Sequence, residues 1–274
     1  MSAQIAVAPS DGAAPEQPAR RHRRRWLNLP GLGLLVALAV LWEVLARTVL
    51  RSFENFVPTS DIVRAFGELA GQGDLAAQIG HTLSVTMIGW VVSTAVGVVI
   101  GVWLGLSGVA WRWSMASVEV LRSLPSIAFV PIALLVFGFS QEMELVLIMY
   151  VCLWPVLIAT IEGVRGVHPG LIDTARTFNL GRVQVWRSIV LPAAVSRILV
   201  GVRLALALAV SLAVIAEMLG NPEGLGFGIV FVQRGFQPGQ VFAYLFTIGL
   251  VGWALNALFT AAVRLLAPRF AGSL

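Results

Sequence analysis

The sequence predicts an all-α integral membrane protein of about six transmembrane helices, with both termini in the cytoplasm. Three observations predict it. Apolar residues are 58% of the 274 and charged residues only 12%, against about 25% charged in a typical water-soluble domain. Charge is therefore too scarce to cover a water-facing surface. The apolar runs are continuous over roughly the 20 residues a helix needs to cross a hydrocarbon core, and they do not alternate as barrel strands do. The basic residues are all arginine, and they concentrate in alternate connections.

Residues 1–25 are expected to be a disordered, basic cytoplasmic tail. Residues 1–19 are rich in Ala, Pro and Gln, and Arg20, Arg21, Arg23, Arg24 and Arg25 follow. Residues 26–274 form the membrane domain. The run 27–50 is read as a retained first helix and not a signal peptide. It is long, Trp42 and Glu43 interrupt it, and no small-residue cleavage site follows.

Further spans are expected at 83–106, 118–139, 145–161, 193–219 and 241–266. Pro125 and Pro131 interrupt the third, which is tolerable where neighbours satisfy the freed carbonyls. Placing the N-terminus inside puts Arg112, Arg165, Arg176, Arg182, Arg187 and Arg269 on the cytoplasmic side with the tail. Only Arg51, Arg64 and Arg234 are left outside. The net charge of +5 thus belongs to membrane topology, and nucleic acid is not an expected partner. The single cysteine, Cys152, allows neither an intrachain disulfide nor a cysteine metal site.

Two outside connections have structure of their own. After the helix start Pro58-Thr59-Ser60, residues Ile62, Val63, Phe66, Leu69 and Ala70 share a face. A short amphipathic helix is expected there, on the membrane surface or packed on the bundle. Residues 221–240 are glycine-rich and partly apolar, which suits a tucked or re-entrant segment.

Within the second span, Gly89, Ser93, Gly97, Gly101 and Gly105 recur every four residues. One stripe of small residues permits close backbone approach, the main source of helix association in lipid. A tight helix seam is expected, internal or between subunits, and its partner helix cannot be read from the sequence. Gly105-Leu106-Ser107-Gly108 matches a short intramembrane serine protease pattern. No base is positioned to activate Ser107, because the histidines are His22, His81 and His168. Glu119 and Arg122, three apart, can pair along one helix. Arg197 and Arg203 are expected to snorkel near a helix start. No acidic relay of the kind proton-coupled pumps use is evident.

The connection around 165–192 is polar and periodic. His168-Pro169-Gly170 is a turn. Ile172, Ala175 and Phe178 then share one face, with Asp173 and Arg176 on another. A short helix should end near Asn179, which tolerates the left-handed conformation. A second amphipathic stretch, 183–190, leads to Leu191-Pro192. Two short helices across the cytoplasmic mouth are expected.

These residues resemble the Glu-Ala-Ala loop of ABC importer membrane domains. That pattern is Glu-Ala-Ala, three residues, Gly, nine residues, Ile-x-Leu-Pro. Here Asp173-Thr174-Ala175 stands for the triplet, Asn179 for the glycine, and Ile189-Val190-Leu191-Pro192 ends the pattern in register. Leu124-Pro125-Ser126-Ile127-Ala128-Phe129-Val130-Pro131, Glu162-Gly163-Val164-Arg165-Gly166-Val167 and Ala216-Glu217-Met218-Leu219-Gly220 are similar to the sulfonate, nitrate and taurine permease group. Phe56-Val57-Pro58-Thr59-Ser60 is similar to that group's motif before the second helix.

The resemblance implies a type I importer fold in a bacterial inner membrane, with a second permease copy completing the pathway. It implies an ATPase-coupling segment of Ile172, Asp173, Thr174, Ala175, Arg176, Thr177, Phe178, Asn179, Leu180 and Gly181, docking on a cytoplasmic ABC ATPase dimer. Phe178 and Ala175 are the expected apolar contacts, and Arg176 and Asp173 the polar ones. A periplasmic solute-binding protein would deliver a small anion such as a sulfonate, taurine, nitrate or an organic acid. Ser126, Ser211 and Glu217 are the translocation-path candidates. The chain lacks a Walker A pattern, so ATP and Mg would be bound by the ATPase and no cofactor by this chain. The alternative is a secondary transporter or channel not driven by ATP, disfavoured by the missing acidic relay and by the lack of an evident inverted repeat.

Overall fold

The computed structural model describes residues 29–50, 53, 56–71 and 73–269. The tail at 1–25 lies outside these residues. All regular structure among the described residues is helical. In chain order the helices are α1 (Leu29–Arg47), α2 (Thr59–Gly71), α3 (Asp74–Leu106), α4 (Gly108–Ser123), α5 (Val130–Phe137), α6 (Gln141–Arg165), α7 (Pro169–Thr177), α8 (Arg182–Val185), α9 (Leu191–Gly220), α10 (Gly224–Arg234) and α11 (Pro238–Leu266). A 3₁₀ turn at Ser126–Phe129 precedes α5, and a π turn at Trp186–Val190 joins α8 to α9.

Four stretches are long and apolar enough to cross a membrane: α3, α6, the continuous helix from Val183 through α9, and α11. The third expected span is not one straight helix. Leu124 precedes proline and is extended (φ −70°, ψ 128°), as the clash with a following ring requires. The helices on either side of this break differ in direction by 80°. The first expected span is α1, of 19 residues. Its C-terminal end is fastened to the α2 region, where Trp42 Nε1 donates to Val57 O at 3.0 Å and Glu43 Oε2 accepts from Ser60 N at 3.1 Å.

α3, α6 and α9 form the core. Val85, Ile148, Cys152, Val156, Val202, Ala205, Ala209 and Ala213 meet there, all buried. The expected glycine seam is internal, and its partner is α6. A Cβ added at Gly89 would lie 2.6 Å from Ile148 Cγ2. At Gly97 it would lie 3.0 Å from Val156 Cβ, at Gly101 2.6 Å from Thr160 Cβ, and at Gly105 2.8 Å from Val164 Cβ. The buried Ser93 sits beside Cys152 in the same series. The sequence offset is the same at every step, so α3 and α6 run parallel, with a β-branched ridge of α6 lying in the groove of α3. β-branched side chains are stiff in helices, so ridge and groove fix a register.

α9 runs antiparallel to both. Gly163 meets Ala194, Cys152 Sγ donates to Ala205 O at 3.2 Å, and Gly220 meets Met143. Trp90 Nε1 reaches Val202 O at 2.9 Å. Side-chain donors spent on helix carbonyls add to helix association in lipid.

The bundle thus has two ends. One carries α2, α10 and the starts of α3, α6 and α11. The other carries α7, α8 and the ends of α3, α6 and α11. At the first end α2 packs on the bundle, through Ile62, Ala65 and Leu69. Val63 and Phe66, expected on that face, are exposed instead. The tucked segment expected at 221–240 is α10, with Leu225 and Val232 buried against Leu75, Ala243 and Tyr244.

Candidate functional site

The polar segment between α6 and α9 is organised from its residues upward. The His168 ring accepts from Gly170 N at 3.1 Å, and His168 O accepts from Leu171 N at 3.0 Å. Pro169 opens α7, where its missing N–H costs nothing. α7 stops at Thr177. Leu180 N then donates to Ala175 O at 3.1 Å across Asn179, whose φ is +51°. A six-to-one bond spanning a left-handed residue is a helix-terminating arrangement that favours glycine or asparagine. The expected end at Asn179 therefore holds as the turn residue, with the last helical residue two positions earlier.

Phe178, just past the helix, is 73% exposed, whereas Ala175 is 2% exposed and turned into the chain. Of the two expected apolar contacts, the uncovered one is Phe178. Leu171, Asp173, Thr177 and Gly181 are exposed and Leu180 is half-buried. The side chains of Ile172, Thr174 and Arg176 lie outside the described residues.

The second stretch is not a separate helix across the mouth. It runs on into α9 through the π turn, in which Leu191 N donates to Trp186 O. Pro192 has no N–H, and its ring would collide with the carbonyl four residues back. Widening the turn removes that conflict. Ile189 packs on Val164, Val167, Val190 and Ala194, so this part of the motif ties the segment to the bundle.

A groove of about 440 Å³ opens between α6 and α9. Its walls include Val151, Trp154, Ile158, Val200, Leu204 and Leu208, with Arg122 and Glu162 as its charged groups. Arg122 Nε donates to Glu119 Oε2 at 2.8 Å, the expected pair. Arg197 does not simply snorkel: its Nη1 donates to Glu162 Oε2 at 3.2 Å, bridging α9 to α6. Arg203 Nε donates to Asn256 Oδ1 at 2.8 Å, on α11. Among the path candidates, Ser211 is exposed on α9, three residues beyond Leu208 and so on the same side. Ser126 is half-buried at the bend. Glu217 is 1% exposed and faces inward. Its Oε2 accepts from Gly226 N at 2.8 Å, at the start of α10, where a carboxylate offsets the exposed N–H groups of a helix N-terminus.

Ser107 is a helix cap. Its Oγ accepts from Ala110 N at 3.1 Å and starts α4. Beside Glu217 the structure also gathers charged groups that the sequence reading left apart. Glu144 is fully buried, and its Oε1 accepts from Asn221 Nδ2 at 2.5 Å. His81 Nε2 lies 3.2 Å from Glu144 Oε2. A buried acidic pair therefore exists, although no spacing in the sequence announced it.

The model of the family described as "Binding-protein-dependent transport system inner membrane component" matches residues 97–272. The chain is 30% identical over 230 residues to the putative aliphatic sulfonates transport permease protein SsuC of Bacillus subtilis, covering 84% of this chain and 83% of that protein. It is 31% identical over 181 residues to the nitrate import permease protein NrtB of Leptolyngbya laminosa, covering 66% and 65%. A chain of the MetNI methionine ABC transporter, solved in inward-facing conformations, aligns with TM-score 0.61 at 18% identity, over 70% of this chain and 96% of that one. That likeness concerns the fold.

Proposed function

Since the chain belongs to the family of binding-protein-dependent transport system inner membrane components, we propose that it forms, as two copies, the pathway of an ATP-driven importer of a small anionic solute. The observation that carries this reading is the turn after α7: Phe178 exposed beside Asn179 at φ +51°, at the spacing expected of a segment that enters an ATPase groove. The α7 end is then cytoplasmic, in agreement with the arginine bias. A cytoplasmic ABC ATPase dimer binds ATP and Mg and closes on them. α7 passes that motion to α6 and α9, to which it is joined. The bundle switches access because the partner binds its two states differently. A periplasmic binding protein delivers the solute at the α10 end. The chain itself performs no chemistry.

A sulfonate, taurine, nitrate or organic acid is the proposed cargo. The sulfonate and nitrate permeases among its relatives support this class. The groove between α6 and α9, with Arg122 at its wall, is the proposed path, and Ser211 and Ser126 are proposed to contribute to it.

The test is uptake into proteoliposomes holding this chain and its ATPase, with the binding protein outside and ATP inside. Labelled taurine, an alkanesulfonate and nitrate are offered in turn. Uptake requiring both ATP and the binding protein is expected. Uptake driven by a proton or sodium gradient without the ATPase would favour the secondary-transporter alternative and end this reading.

A further inference from the structure

We propose that the α10 end of the bundle holds a divalent transition-metal site built from His81, Glu144 and Glu217. The three residues come from α3, α6 and α9, and one ligand atom of each lies within 4.8 Å of the others. Glu144 is 0% exposed and Glu217 1%. Two carboxylates enclosed together stay ionised only if positive charge is paired with them, and otherwise take up protons. Among the described residues, the group able to carry positive charge beside them is His81, whose Nε2 lies 3.2 Å from Glu144 Oε2.

A second observation points to a ligand. Glu217 commits Oε2 to Gly226, while its Oε1 is buried without a hydrogen-bond partner. The third concerns the ring. His81 Nδ1 lies 2.9 Å from Glu223 Oε2, and a carboxylate only accepts, so the Nδ1 hydrogen is donated there. In the tautomer with its one proton on Nδ1, Nε2 presents a lone pair, with Glu144 Oε2 3.2 Å away and the Asn221 Nδ2 donor 3.3 Å away. Between such a lone pair and a carboxylate, either a second ring proton or a bound cation removes the repulsion. An imidazole whose far nitrogen is held by a carboxylate is the arrangement that orients metal-bound histidines.

One imidazole and two carboxylates suit a zinc-class ion, with a fourth position left for water. A dication also balances the two buried carboxylates. Bond lengths of about 2.0–2.2 Å place tetrahedral ligands roughly 3.4 Å apart. Side-chain rotation of about an ångström closes the observed cluster to that size. Bound there, the ion would clamp α3, α6 and α9 together and, through Glu217 and Gly226, hold the start of α10.

The experiment uses the tag-free full-length chain in detergent, stripped with chelator and titrated with Co²⁺. Uptake of one Co²⁺ per chain, with visible absorption displaced by Zn²⁺, is expected. Glu217→Gln and His81→Ala should lose that band. Both residues support the fold, so Glu223→Gln, altered at an exposed side chain, is the decisive variant. It should remain folded and bind about 10–100-fold more weakly. Zn²⁺ should also raise the melting temperature of the unaltered chain. A stripped wild type that takes up no stoichiometric Co²⁺, or an affinity unchanged in Glu223→Gln and Glu217→Gln, overturns the proposal.

Discussion

Gly101→Ala tests the seam between α3 and α6. The added Cβ would lie 2.6 Å from Thr160 Cβ and 3.0 Å from Leu157 O. Neither atom can rotate away, because one is fixed to its Cα and the other is backbone. The helices must separate locally, and overpacking of this kind costs about 1–3 kcal/mol. Alanine also improves helix propensity by up to about 1 kcal/mol over glycine. Gly80→Ala, in the same helix with nothing within 4 Å of its added Cβ, gains that term alone. The difference in stability between the two variants therefore isolates the overpacking, about 1–3 kcal/mol against Gly101→Ala. Unfolding in mixed micelles, followed by tryptophan fluorescence, measures it. The geometry also dictates the rescue. Thr160→Ala keeps the offending Cβ and should not help. Thr160→Gly removes it, so Gly101→Ala with Thr160→Gly should be less destabilised than the sum of the single variants by about 1 kcal/mol or more. Equal stability of the Gly80 and Gly101 variants, or strict additivity in the double variant, refutes a packed seam.

Asn179→Gly should leave transport intact. Asn179→Val forces a β-branched residue to positive φ and should cost about 1–2 kcal/mol locally, lowering ATPase co-purification. Phe178→Ala should leave the melting temperature within about a degree and weaken ATPase association by 10-fold or more, roughly the value of a buried aromatic anchor; undiminished association counts against the proposed docking. Ser107→Ala should cost about 0.5–2 kcal/mol through the lost cap yet retain ATP-dependent uptake. Gly226→Ala would push a Cβ against Val214 O and Glu217 Cβ, and should expose α10 to protease while the α7 end stays protected.

The sequence exposed what is local and periodic. The stripe from Gly89 to Gly105 was legible because spacing of four is a property of one helix. Its partner was not, because Ile148, Val156, Thr160 and Val164 look like any lipid-facing β-branched residues. Asn179 could be read as a turn from its chemistry alone. The continuity of α8 with α9 could not, since Pro192 suggests a helix start and only the π turn shows how the helix passes it. The anchoring of Glu217 was not legible because its partner is the Gly226 backbone N–H, which no side-chain pattern marks. His81 and Glu144 meet across distant segments, and only tertiary structure brings them together.

The parallel register of α3 and α6 carries a cost in time. In an antiparallel hairpin each helix finds its mate within a few residues of chain. Here the ridge that fills the groove of α3 is made about sixty residues later. At roughly 5–20 residues per second of synthesis, the groove stands open for about 3–12 s. During that window α4 and α5 enter the same membrane, and their apolar surfaces can occupy the empty stripe. The glycines that make the finished seam tight leave the growing chain with its most adhesive surface unclaimed. On this view the stiffness of the α6 ridge selects the correct tenant from those that arrived earlier.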